Sequence, residues 1–197
     1  MDTPSTARIG PNAIRQVAQV LHEDDESLPL RVFSTAGLRH HLDTPPEEMV
    51  DEDEVARLQQ ALHAVLGTTA ARAVSRRAGT RTGDYLLTHR IPRRVQPILR
   101  RMPAPWAGRV LLHAIAKHSW TFAGSGTFRF SATHPVSLEI AGCPVCRHLH
   151  TREPVCDFYA ATFERIFRSL VHPASHCQQL SCAAAGAKSC LFQIQWR

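Results

Sequence analysis

Lysine is nearly missing from this 197-residue chain: Lys117 and Lys188 are the only two. The cationic charge is therefore almost all guanidinium, within 23 Lys+Arg against 17 Asp+Glu and a net charge of +6. Such a surface favours partners with carboxylates or phosphates, which arginine grips bidentately. The basic residues are dispersed and accompany no recognition motif, which argues against nucleic acid. No apolar run reaches the roughly 18–20 residues that span a bilayer. Met1-Asp-Thr-Pro-Ser-Thr6 lacks the basic and apolar regions of a secretory signal, so a cytoplasmic location is expected. Neither a Gly-x-Gly-x-x-Gly turn nor a Gly-x4-Gly-Lys motif is present, which removes the usual signs of a nicotinamide fold and of a P-loop. Gly124-Ser-Gly126 reads as a plain turn before a strand. Residues 1–142 hold no cysteine at all.

What is present is a globular composition, 44% hydrophobic and 20% charged, of a length that suits one domain with a real core. Residues 1–10 read as a flexible leader and 11–197 as the domain. Pro11–Leu21 has helical spacing of Ile14, Val17, Val20 and Leu21, and the acidic His22–Ser27 closes it. A short helix is expected within Val32–Leu42. Asp51–Leu66 carries acidic residues in its first turn and Val55, Leu58, Leu62 and Val65 on one face before Gly67. Thr68–Arg77 reads as a further helix, Gly79 and Gly83 as brackets of a turn, and Asp84–His89 as a helical piece. Prolines 92, 97, 103 and 105 cut the next stretch into short segments, and Trp106–His118 is again helical. The period then changes to two in Thr127–Ser131 and Val136–Ile140, which predicts strands. A loop over 142–154, a helix from Cys156 to Val171 and a hairpin of 176–182 with 190–196 complete the order. Without βαβ alternation, the fold class is α+β, with helices packed on an antiparallel sheet.

All six cysteines fall between 143 and 190: Cys143-x2-Cys146, Cys156 at a helix start, Cys177, and Cys182-x3-Gly-x3-Cys190 around a tight glycine turn. In a reducing compartment such a cluster points to metal before disulfide. The first pair has zinc-knuckle spacing and the last does not. The spacing does not match a ferredoxin run either. Some of these thiols are expected to be buried hydrophobes, as free cysteine commonly is.

Cys156-Asp-Phe-Tyr159, the helix after it, and Cys182-x3-Gly-x3-Cys190-x-Phe192 resemble the 4-vinyl reductase domain family, which occurs in bacteriochlorophyll synthesis and in aromatic-sensing transcriptional activators. Gly10-Pro-Asn-Ala-Ile14 and Phe163–His172 are similar to its stand-alone members in purple phototrophs. The resemblance implies helices on a twisted antiparallel sheet with a ligand pocket between them, a fold shared with haem-binding nitric-oxide sensors and a dimeric transport-tethering subunit, and hence a possible homodimer. It implies a zinc held by Cys156, Cys182, Cys190 and a fourth ligand, for which Cys146 is taken first, with Cys143 and Glu139 behind it and Cys177 left out. A thiolate-only site has no open position and is structural.

The resemblance also implies a tetrapyrrole-binding accessory protein that holds or delivers a Mg-porphyrin or its metal-free precursor, with other chlorophyll-synthesis enzymes such as magnesium chelatase as partners. The alternatives are a 4-vinyl reductase that uses an external electron donor and a partner-dependent small-molecule sensor. The slot expected for the ring lies between the helix that starts at Trp106 and the strand of Phe128 and Phe130. Arg93, Arg94, Arg100 and Arg101 are the candidates for the propionates, and His113 or His118 for the metal of the ring.

Overall fold

The computed structural model describes residues 7–197. A two-stranded sheet pairs β1 (Arg8–Ile9) with β2 (Val50–Asp51) in antiparallel register, Ile9 opposite Val50. Between them run α1 (Asn12–Asp24), α2 (Leu28–Thr35) and α3 (His40–Asp43). Then come α4 (Glu52–Leu66), α5 (Thr68–His89), α6 (Gln96–Arg101), α7 (Ala104–Lys117) and α8 (Trp120–Ala123). The C-terminal part holds β3 (Thr127–Ser131), β4 (Val136–Ala141), α9 (Asp157–Leu170), β5 (His176–Ser181) and β6 (Cys190–Gln195). The four strands form one antiparallel sheet in the order β3-β4-β6-β5, so β3 is an edge.

The sheet and α9 build the C-terminal core. Alternation on β4 buries Val136, Leu138 and Ile140, and on β6 it buries Cys190, Phe192 and Ile194. The register sets Leu138 against Phe192 and Ile140 against Cys190. Onto this face α9 lays its apolar side; the Phe163 and Phe192 rings meet edge to face at 5.8 Å. Each such side chain removed from water contributes about 2 kcal/mol. The helix α5 lies along α9 and α1.

Three expectations need correction. Gly79 and Gly83 bracket no turn: α5 runs unbroken from Thr68 to His89. They stand four residues apart on one face, where a Cβ at Gly79 would collide with the Phe158 carbonyl oxygen and one at Gly83 would lie 2.7 Å from the Arg165 Cβ. Glycine here lets α9 approach the α5 backbone, and Thr162 uses that closeness to donate a 3.0 Å hydrogen bond to the Gly79 carbonyl. The leader over 1–10 is also shorter than expected. Residues 1–6 lie outside the described part, but Arg8–Ile9 is a strand with Ile9 buried, and the Gly10 N–H donates to the Thr121 carbonyl at 2.8 Å. Finally, the helix expected within Val32–Leu42 divides into α2 and α3, separated at Gly37, whose φ of +69° ends the first.

Candidate metal centre

The cysteines arrive from three separate segments. A 3-10 turn, Pro144–Cys146, follows β4 and carries Cys143 at its start and Cys146 at its end. Cys156 is the residue before the first turn of α9, and its backbone N–H donates to Gln179 Oε1 at 2.8 Å, which ties the helix start to β5. Cys182 and Cys190 flank the β5–β6 connection. There Ala183–Ala185 forms a second 3-10 turn, and Gly186 adopts φ +87°, a left-handed conformation that costs glycine nothing. This turn folds back so that the Ala183 N–H points at Cys190 Sγ at 3.4 Å.

Five sulfurs thereby converge in the core, each side chain almost inaccessible to water. Cys146 Sγ lies 3.4 Å from Cys190 Sγ, and Cys156 Sγ lies 3.6 Å from both Cys182 and Cys190. Cys143 lies 3.8 Å from Cys156, and Cys182 lies 3.9 Å from Cys190. A tetrahedral zinc–thiolate site with bonds of about 2.3 Å has sulfur–sulfur edges of about 3.8 Å. The donor set and spacing fit a soft, four-coordinate metal. Cys143, Cys146, Cys156 and Cys190 all fall within 4.8 Å of one another. Cys182 joins through its contacts with Cys156 and Cys190. Glu139 is turned elsewhere, its carboxylate accepting from Ser189 Oγ at 2.7 Å. Cys177 is buried on β5 away from the cluster, its backbone N–H donating to Glu164.

Crowded thiols cannot all ionise. Hydrogen bonds from Cys143, Cys156, Cys182 and Cys190 pull the Cys146 thiol far below its ordinary value, whereas the same neighbours hold the protons of Cys156 and Cys190. One thiolate solvated by its neighbours is an arrangement that a dication completes, with the remaining protons released on binding. Tyr159, one turn into α9, has its hydroxyl pushed well up by burial and then by the adjacent sulfurs; it donates to the Phe122 carbonyl at 2.6 Å and stays neutral.

A clamp that the spacing gave no hint of holds the Cys143–Cys146 turn. Glu52, the first residue of α4, is buried and accepts from Arg147 at 2.6 Å, from Ser125 Oγ at 2.6 Å and from the Ser125 N–H at 2.8 Å. Burial alone would raise its pKa, but these donors outweigh burial and hold it below 4.5. Next to it, Asp53 meets His148 at 2.6 Å. The acidic first turn of α4 thus grips the loop that presents two of the thiols.

The residues expected to form a ligand slot separate into two places. A groove of about 460 Å³ opens between α7 and the edge strand β3, lined by Trp106, Arg109, His113, Phe130, Ala132 and Thr133 together with Pro105. Trp106, His113 and Phe130 therefore do come together, with His113 edge-on to Phe130 at 5.1 Å. Phe128 turns instead into an aromatic group with Phe122 and Phe163, and His118 is exposed at the end of α7. The expected propionate anchors are not on this groove. Arg93 and Arg100 line a second cavity of about 330 Å³ with Asp84, Gln96 and Arg165, because α6 is a separate element whose Arg100 donates to the Ser169 carbonyl on α9. Arg94 and Arg101 are exposed. The cation that does line the groove is Arg109, one helical turn before His113.

Comparison with known proteins agrees with this architecture. The 4-vinyl reductase domain matches residues 136–195, the stretch that contains all the thiols. Over 188 residues the chain is 42% identical to the bacteriochlorophyll synthase 23 kDa chain of Cereibacter sphaeroides, covering 95% of this chain and 90% of that one. It is 38% identical to the protein of the same name from Rhodobacter capsulatus, covering 95% and 86%. The chain belongs to the family of bacteriochlorophyll synthase 23 kDa chains. Among solved structures, the phenol-responsive sensory domain of the transcription activator PoxR aligns with a TM-score of 0.54 at 16% identity, over 76% of this chain and 78% of that one. An H-NOX structure from a study of heme distortion aligns with a TM-score of 0.57 at 10% identity, over 95% and 94%. At those identities the likeness concerns the fold.

Proposed function

We propose that this chain serves bacteriochlorophyll biosynthesis as a tetrapyrrole-binding accessory protein that holds a Mg-porphyrin, or its metal-free precursor, for other enzymes of the route such as magnesium chelatase. The names of its relatives support the route, and the groove between α7 and β3 supports the ligand. The observation that carries the reading is His113. Its Nδ1 lies 2.7 Å from the Arg109 carbonyl, which can only accept, so the proton sits on Nδ1 and the Nε2 lone pair is left for a ligand. An imidazole in that tautomer, between an exposed indole, the Phe130 ring and the Arg109 guanidinium, offers an axial donor, apolar faces and a carboxylate partner. The volume falls in the usual range for small-molecule sites.

A zinc at the thiol cluster would be structural. Cys146, Cys156, Cys182 and Cys190 are the proposed ligands: they make four sulfur contacts of 3.4–3.9 Å, against three in the set with Cys143 in place of Cys182. Such an ion would pin the start of α9 to the β5–β6 turn and to the end of β4. It would offer no open coordination position.

The deciding experiment is anaerobic titration of the purified protein with Mg-protoporphyrin, with metal content assayed on the same sample. Stoichiometric binding with a shifted Soret band, one zinc per chain and no vinyl reduction on addition of NADPH is expected. Reduction of the vinyl group would establish the reductase alternative, and no binding would leave a partner-dependent sensor. For the ligand set, Cys182→Ser loses the zinc and Cys143→Ser keeps it.

A further inference from the structure

Between Asp84 and Glu139 the chain contains no carboxylate side chain, yet the interval holds seven arginines and Lys117. All eight cations are exposed. Among the described residues, none of them lies within ion-pair distance of a carboxylate. The arginines of α5 and α9 behave differently: Arg72, Arg76, Arg77, Arg81, Arg165 and Arg168 all have acidic partners. The same interval also carries five of the seven large hydrophobic side chains left exposed, namely Val95 (39%), Ile98 (60%), Trp106 (65%), Val110 (48%) and Trp120 (60%).

The two kinds of residue interleave. Ile98 on α6 has Arg94 four positions before it and Arg101 three after, on the outward face opposite the buried Gln96 and Leu99. On α7, Trp106, Val110 and Lys117 follow one another at turns of the helix, opposite the buried Ala107, Leu111 and Leu112. The helices α6 and α7 pack against each other, so the two outward faces adjoin. Unpaired guanidiniums among solvent-facing indoles and aliphatic side chains, with no acid to repel anions, have the chemistry of a surface that meets a negatively charged bilayer. There the cations take lipid phosphates, the tryptophans sit at the headgroup level, and Ile98 and Val110 reach the acyl boundary.

We propose that the α6–α8 side docks on anionic lipid, and that the chain is a peripheral membrane protein that spans nothing. This goes beyond the tetrapyrrole reading and does not depend on it. An acidic protein partner would share the charge but would not require a bilayer.

The test is co-sedimentation of the full chain, without porphyrin, with vesicles of pure phosphatidylcholine and with vesicles containing one part in three of phosphatidylglycerol. Binding to the anionic vesicles alone, lost on addition of 0.5 M salt and accompanied by a blue shift of tryptophan emission, is the expected result. The double variant Arg94→Glu, Arg101→Glu should lower the partition coefficient about tenfold or more, and Ile98→Asp and Trp120→Ser should each lower it several-fold. Circular dichroism confirms that each variant is folded; none of these side chains lines the groove or the thiol cluster. Failure to pellet with either vesicle, equal pelleting with both, or undiminished pelleting of the Arg94/Arg101 and Ile98 variants overturns the proposal.

Discussion

The two ends of the C-terminal sheet are built on opposite plans. Where β4 ends and β6 begins, Ile140 faces Cys190 and every sulfur is sealed from solvent, with a buried glutamate holding the neighbouring loop. Along the edge strand β3, Phe130 and the residues after it border an open groove beneath an indole that is 65% exposed. Closure at one end fits a group that keeps the fold together, whereas openness at the other fits a ligand that comes and goes. Changes at the sealed end should therefore act on stability, and changes at the open end should act on binding with the fold intact.

The largest effect expected is that of Cys156→Ser. Cys156 touches Cys143, Cys182 and Cys190 and also starts α9, so no rearranged four-thiol set can omit it cheaply. Structural zinc contributes on the order of 10 kcal/mol to small metal-bound folds. Even part of that exceeds the stability of an ordinary domain. The variant should hold no zinc and show no cooperative melt, and chelation of the wild type should reproduce this state. A full melt at an unchanged temperature would remove the metal from the account of the fold.

Gly79→Ala should come second, at about 3 kcal/mol. In an exposed helix this exchange stabilises by up to about 1 kcal/mol. Here the added methyl meets a backbone oxygen of α9 that cannot step aside. Thermal denaturation decides the sign, and stabilisation would mean that the two helices can part without loss.

These first two changes show how unevenly the architecture can be read from sequence. The strands at 127–131 and 136–140 are legible because one face is buried, and the period of two records it. The thiol cluster is legible because Cys182-x3-Gly-x3-Cys190 is a local pattern. Gly79 and Gly83 mislead because glycine signals a turn by its own conformational freedom, and only the approach of α9, about eighty residues on, explains its use here. Glu52 reads as an ordinary first-turn acid of a helix, since its partners Ser125 and Arg147 lie 73 and 95 residues away. The arginines after Pro92 look like anchors for the aromatic groove, but α6 packs on α9 and carries them to another side. Long-range pairing left no trace in the spacing of these residues.

Glu52→Gln should cost about 2 kcal/mol, the range for losing charged hydrogen bonds at a buried site whose partner, Arg147, still reaches water. The pH dependence gives the sharper reading. The folded-state pKa of Glu52 lies below its ordinary 4.5, so its contribution is complete above that pH and disappears as the pH falls through the depressed value. Protonation of metal thiolates weakens the same end in acid, but it does so in both proteins. The difference in melting temperature between wild type and variant isolates the carboxylate, and it should be constant above about pH 5 and shrink towards zero below. A gap that does not change with pH would place the clamp elsewhere.

The smallest effect on stability, and the one that tests the open end, is that of His113→Ala. The ring is exposed at the groove and makes one hydrogen bond, to a carbonyl in its own helix, so its loss should change stability by no more than about 0.5 kcal/mol. Binding of Mg-protoporphyrin should weaken about tenfold or more, and the Soret shift that marks axial ligation should disappear. The metal-free porphyrin has no central ion for Nε2 to reach, so its affinity should fall far less. That contrast separates a ligating histidine from one that merely lines the wall: equal losses for both porphyrins would make His113 a packing residue, and no loss for either would move the ligand out of the groove.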